Sequence, residues 1–130
     1  MKYVVLLGRI LYAAIFILAS LGHFAPQTMQ YAASQGVPMA AFLVPLSGII
    51  GLVGGISVLV GYKAKWGAWL LVIFLLPVTF LVHRFWMVQD PIQVSIQEAM
   101  FLKNLSMLGA ALLIAYFGSG PMSIDKKSKK

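Results

Sequence analysis

The sequence predicts an all-α fold: an integral membrane four-helix bundle with an up-down-up-down course. Three observations predict it. Apolar residues make up 61% of the 130-residue chain and charged residues 10%, against roughly 45–50% and about 25% in soluble domains. The mean hydropathy is +0.92. Four segments are each long and apolar enough to cross a bilayer, which takes about 20 residues. A body this small exposes much of its surface, and ten basic plus three acidic side chains cannot solvate it. A water-soluble domain is therefore excluded. The residues form one membrane domain, 1–130, without an internal repeat.

The first span runs over about 4–24. Arg9 interrupts it near its start, where a long basic side chain can snorkel. The run is too long for a cleaved signal peptide, so a retained helix is expected. Arg9, Tyr12, Phe16, Ser20 and His23 recur at steps of three and four and share one face. Arg9 is either a phosphate anchor or an inward-facing group. The second span covers about 39–61, after Pro38. Gly48, Gly51 and Gly55 fall on one of its faces, and Gly51–Gly55 is a GxxxG pair. Small residues let helices approach closely, so this face predicts helix packing, inside the bundle or between subunits, ahead of the other reading, room for a flat ligand.

The third span covers about 66–85 and contains Pro77, where a kink is expected. Thr79, His83 and Trp86 share a face. Trp66 and Trp69 at one end and Trp86 at the other read as interfacial belts. The fourth span covers about 98–117 and ends at Gly118. Gln97, Phe101, Asn104 and Leu108 line one of its faces, with Lys103 about 100° round the helix from Asn104. A short interfacial helix is expected between the first two spans, around 31–36. The segment 119–130 reads as a basic cytoplasmic tail, whose terminal lysine run is expected to be disordered.

Basic residues set the orientation. With the N-terminus inside, Lys2, Arg9, Lys63, Lys65, Lys126, Lys127, Lys129 and Lys130 lie on the inner face, and only Arg84 and Lys103 on the outer. Both termini are expected in the cytoplasm. The net charge of +7 is thus a topology signal and not a sign of a nucleic-acid partner. The chain lacks cysteine, which excludes disulfides, thiolate metal sites, iron–sulfur clusters and covalent c-type haem.

The course of the spans carries His23, His83, Arg84, Trp86, Gln97, Lys103 and Asn104 to one depth near the outer leaflet. An ionisable group such as Lys103 inside a span is a functional candidate by default, with Glu98 or Asp90 as its expected partner. The convergence reads either as a network tying helix ends together or as a ligand site. No metal-ligating cluster is expected.

His83-Arg-Phe-Trp86, the polar turn with Asp90-Pro91, Phe101-Leu-Lys-Asn-Leu-Ser-Met-Leu-Gly109 and Gly118-Ser-Gly-Pro-Met-Ser-Ile-Asp125 resemble the DoxX family of small bacterial membrane proteins. Arg9 with Gly22-His-Phe24 resembles the family's opening, and Gly54-Gly55 with Gly61 its second helix. Many members carry a glutamate a turn before the paired glycines; this chain has Gly51 there, which removes the acid on which a proton-coupled or metal-linked role would rest. The resemblance implies a four-helix membrane bundle in the bacterial inner membrane. It further implies an association with membrane redox complexes, some members being named as a subunit of a thiosulfate:quinone oxidoreductase.

Three functions compete. The first is a quinone-interacting subunit of a membrane oxidoreductase complex, with His23, His83, Lys103 and Asn104 as hydrogen-bond donors and Trp86 and Phe101 as flat walls. Lacking cysteine and any nucleotide motif, such a chain needs a soluble or membrane partner to supply redox groups. The second is a haem b protein with His23 and His83 as axial ligands. The third is a non-catalytic scaffold or small-molecule carrier, forming a homo-oligomer or a complex through its glycine face. A soluble hydrolytic enzyme is a poor fit, as no nucleophile–base pair or phosphate loop is present.

Overall fold

The computed structural model describes residues 1–127; Ser128, Lys129 and Lys130, the end of the expected tail, lie outside the described residues. The fold is all-helical. Its elements are α1 (Lys2–Leu21), α2 (Pro26–Ser34), α3 (Ala40–Val60), α4 (Ala64–Pro77), α5 (Pro91–Phe117) and α6 (Ile124–Lys127). Helical turns at Gly22–Phe24 and Phe85–Met87 extend α1 and precede α5. Four helical stretches are long and apolar enough to cross a membrane, as the hydropathy requires. Neighbours in the bundle run α1, α3, α4, α5. The ring closes where the Tyr12 hydroxyl of α1 donates to the Met107 carbonyl of α5 at 2.7 Å.

The core is formed by Ala13 and Phe16 of α1, Val58 of α3, Leu71, Val72, Phe74 and Leu75 of α4, and Ala111 of α5. The glycines of α3 set its spacing from two neighbours at once. A Cβ on Gly51 would fall into the Ser20 hydroxyl and the Phe74 ring, one on Gly48 would lie 2.9 Å from His23 Cβ, and one on Gly55 would press on Ile17 and Phe16. Gly54 faces the other way, against the Gly67 carbonyl and Leu71 of α4. The small face therefore packs within the bundle, which answers the choice that the sequence left open.

Two boundaries differ from expectation. The last spanning helix starts at Pro91 and not at Glu98, because Asp90 is its N-cap: the carboxylate accepts from Ile92 N at 3.1 Å, with Pro91 in the first turn. The third span is regular only to Pro77. It then widens into a π-helical turn over Val78–Val82, and His83 is the first residue beyond it. Proline lacks the amide proton a regular helix needs there, and a widened turn is one way to absorb that loss.

Through Lys127 the segment after α5 folds back beneath the bundle. Arg9, only 5% exposed, donates from Nη2 to the Met122 carbonyl at 2.5 Å. Asp125 accepts from Lys63 N at 2.8 Å and Ala64 N at 3.2 Å, capping α4, while its own amide donates to Gly61 O at 2.8 Å. Ser119 and Ser123 are buried and bonded to each other at 3.0 Å. Arg9 is thus the inward-facing group, held by the chain's own end.

Candidate functional site

A cavity of about 390 Å³ opens at the distal end of the bundle, away from the termini. His23 enters from the turn after α1, Thr28, Tyr31 and Ala32 from α2, Val44 and Ser47 from α3, Phe74 and Val78 from the third span, and His83 from its end. Most of this lining is apolar. The short helix expected between the first two spans is α2, longer than anticipated and started by Pro26 at its first turn. It roofs the cavity because Ala32 buries against Ala40 and Val44, with Met29 and Val37 alongside. The guanidinium of Arg84 donates to the Gln35 carbonyl and pins the loop after α2 to the end of the third span. Its Nε is buried without a partner among the described residues.

The hydrogen bonds fix what the histidines present. Ser47 spends its single hydroxyl proton on the Val44 carbonyl at 2.6 Å. His23 Nδ1 lies 2.8 Å from the same oxygen and must therefore be the donor. His83 Nδ1 lies 2.8 Å from Gln97 Oε1, which only accepts. A neutral ring in either place carries its proton on Nδ1, which leaves Nε2 as an acceptor. Such a partner fixes both tautomer and ring orientation. His23 also stacks on Phe74, with ring centroids 5.4 Å apart. Leu46, Ile73 and Leu81 line the cavity while remaining 37%, 54% and 37% exposed. The opening therefore lies between α3 and the third span, on the surface that faces lipid.

The residues singled out from sequence separate. His23 and His83 line the cavity, Gln97 sets His83, and Arg84 holds the roof. Trp86 does not line it: the ring is half-exposed and packs edge-on with Phe85 and Phe101. Asn104 is buried in the helix interface, 4% exposed, and is absent from the lining. Lys103 points outward, its ammonium 3.4 Å from Met100 Sδ. Asp90, one of its two expected partners, has a carboxylate oxygen committed to the cap of α5. His23 and His83 thus stand at an apolar chamber whose lining does not include Trp86, Lys103 or Asn104. Among the described residues no group of three or more His, Asp and Glu converges as a metal site.

Sequence reasoning missed Tyr31, Phe74 and the pairing role of Ser47. Ser47 was legible only as a small residue, and Phe74 only as one of many apolar ones. Neither carries a local signal of the cavity, which forms when α2 folds over α3.

The DoxX family model matches residues 4–84. The chain is 34% identical over 128 residues to the inner membrane protein YqjF of Escherichia coli (strain K12), covering 97% of this chain and 92% of that protein. It is 30% identical over 101 residues to the inner membrane protein YphA of the same organism, covering 77% and 71%. Over 74 residues it is 34% identical to a Surfeit locus protein 4 homolog of Schizosaccharomyces pombe, 55% of this chain but 24% of that one. No solved structure matches. With most of its length matched to the family model and nearly all of it to an inner membrane relative, the chain is an integral membrane protein of the DoxX family.

Proposed function

We propose that the protein binds a quinone-class amphiphile in the distal cavity, as a redox-associated subunit of an oxidoreductase complex in the bacterial inner membrane, with both termini cytoplasmic. One observation carries this reading: an apolar chamber with a lipid-facing mouth holds two histidines whose Nδ1 protons are already committed. A flat ring with an apolar tail suits the chamber. Two Nε2 acceptors suit a guest that donates hydrogen bonds, so the reduced, hydroxyl-bearing quinol fits better than the carbonyl form. Bound there, the quinol hydroxyls would meet His23 and His83, and Phe74 would provide an aromatic wall. The partner subunit supplies the redox groups.

The test is a titration of purified protein in detergent with a short-chain quinol and, separately, with its quinone. The quinol is expected to bind more tightly, and His23→Ala and His83→Ala are each expected to abolish its binding while the protein stays folded. Equal binding of both forms by all three proteins would overturn the reading.

The same hydrogen bonds favour a second reading. A histidine fixed by an Nδ1 bond has Nε2 ready for a metal, as haem ligation by His23 and His83 requires. An absorption spectrum of purified protein decides it: a Soret band establishes haem, and its absence after haem supplementation removes this reading.

A further inference from the structure

We infer that α5 is the seam of a parallel homodimer, closed by a Glu98–Lys103 ion pair from each copy to the other. Of the four spanning helices α5 is the least buried. Its outward face carries Ser95, Ala99, Leu102, Ser106, Gly109 and Leu113, all exposed. Their spacing alternates between four and three, the heptad pattern of two helices packed along one seam. Exposed apolar residues alone would mean only contact with lipid. Two further features of this face do not suit lipid.

The first is charge. Lys103 lies fourteen residues before Phe117, roughly 21 Å along the helix at 1.5 Å per residue. That is inside a hydrocarbon layer about 30 Å thick. It is exposed, and its one hydrogen bond among the described residues goes to the Met100 sulfur. Glu98 is also exposed and makes no hydrogen bond or ion pair among the described residues. Lys103 sits at a depth where an unpaired charge is unfavourable, and Glu98, five residues nearer the helix start, stands at the far edge of that layer. Within one helix they flank the seam on opposite sides: Glu98 precedes Ala99, and Lys103 follows Leu102. A spacing of five residues across a seam is the one by which parallel helices pair, the acid of one copy meeting the base of the other. Two copies inserted in the same membrane share one direction, so a twofold axis along the membrane normal repeats the pair on both sides.

The second feature is Gly109. A Cβ built there meets nothing within 4 Å, so nothing in the chain itself requires glycine. Glycine inside a helix is unfavourable unless another backbone comes close. Gly48, Gly51, Gly54 and Gly55 each meet a neighbour within their own bundle, whereas Gly8 of α1 is open like Gly109; Gly109 gains its weight from lying on the same seam that Glu98 and Lys103 flank. A second copy laid on Ser106 and Gly109 accounts for a glycine that the bundle leaves uncovered.

The chain has no cysteine, so single cysteines report cleanly. Ser106→Cys, on the seam, should form a disulfide-linked dimer on oxidation in native membranes. Val53→Cys, on the exposed face of α3, should not. Lys103→Glu and Glu98→Lys should each lower the dimer fraction several-fold, and the double exchange should restore it. Gly109→Leu should weaken the dimer while leaving the melting temperature unchanged, because its side chain enters open space. Cross-linking that is equal at positions 53 and 106 would overturn the dimer. So would a double exchange no more dimeric than the single variants, or full dimerisation of Gly109→Leu.

Discussion

The two ends of the bundle hold similar polar residues and use them in opposite ways. At the terminal end, Arg9, Asp125, Ser119 and Ser123 are tied to each other and to backbone groups of Gly61, Lys63, Ala64 and Met122. Asp125 divides its two oxygens among two amides and a hydroxyl. At the distal end, His23 and His83 each make one side-chain bond through Nδ1 and line a chamber of about 390 Å³. Polar residues in a membrane protein are expensive wherever they stand. The terminal cluster is largely tied, although Arg9 Nε and Nη1 are buried without a partner among the described residues; the distal pair stands beside an apolar cavity.

Breaking the fastened end should have the largest effect. Gly61 has φ +69°, and a Cβ there would strike the Arg9 guanidinium and Ser123. Gly61→Leu should lose about 2–5 kcal/mol, combining a left-handed backbone with overpacking. Thermal unfolding in detergent reads this as a large fall in melting temperature.

Gly51→Leu comes next. It forces a side chain into Ser20 and Phe74, at about 1–3 kcal/mol. Gly8→Leu, in open space, should be silent in the same assay. Gly120 looks like a neutral position in a tail, but it is no such control: its φ is +71°, and a Cβ would lie 2.8 Å from Val5. Equal melting temperatures for the Gly51 and Gly8 variants would remove the packing role.

Asp125→Ala removes the cap of α4 and should lose about 1–2 kcal/mol. Limited proteolysis should then cut the segment after Phe117 faster than in the wild type. An unchanged cleavage pattern would show that Asp125 does not hold that segment. The smallest effect belongs to Lys103→Met in dilute detergent, where the exposed side chain should change monomer stability by less than about 0.5 kcal/mol.

Most of the fold was legible in the sequence. Span length and hydropathy determine four crossings almost regardless of detail, and glycines at steps of three and four favour a close approach over room for a flat ligand. The fate of Arg9 was not legible, because its acceptor is the backbone carbonyl of Met122, at the far end of the chain. Backbone acceptors leave no mark in a sequence. The distal site was half legible. His23 and His83 do come to one cavity, as the course of the spans demands, but the partners that set their tautomers, Ser47 and Gln97, depend on side-chain geometry. Lys103 and Asn104 show the limit most sharply. They are adjacent, and a turn of 100° leaves Asn104 buried and Lys103 outside.

The central claim is that the distal cavity holds a guest and the terminal end does not. The most direct measurement is the amount of isoprenoid quinone or quinol that co-purifies per protein, with melting temperature recorded on the same samples. Wild type, His23→Ala, His83→Ala and Asp125→Ala would be compared. The account predicts that both histidine variants lose the ligand with little change in melting temperature, while Asp125→Ala keeps the ligand and melts earlier. Undiminished ligand in the histidine variants, together with a lowered melting temperature, would contradict it and make the distal end a fastening like the other.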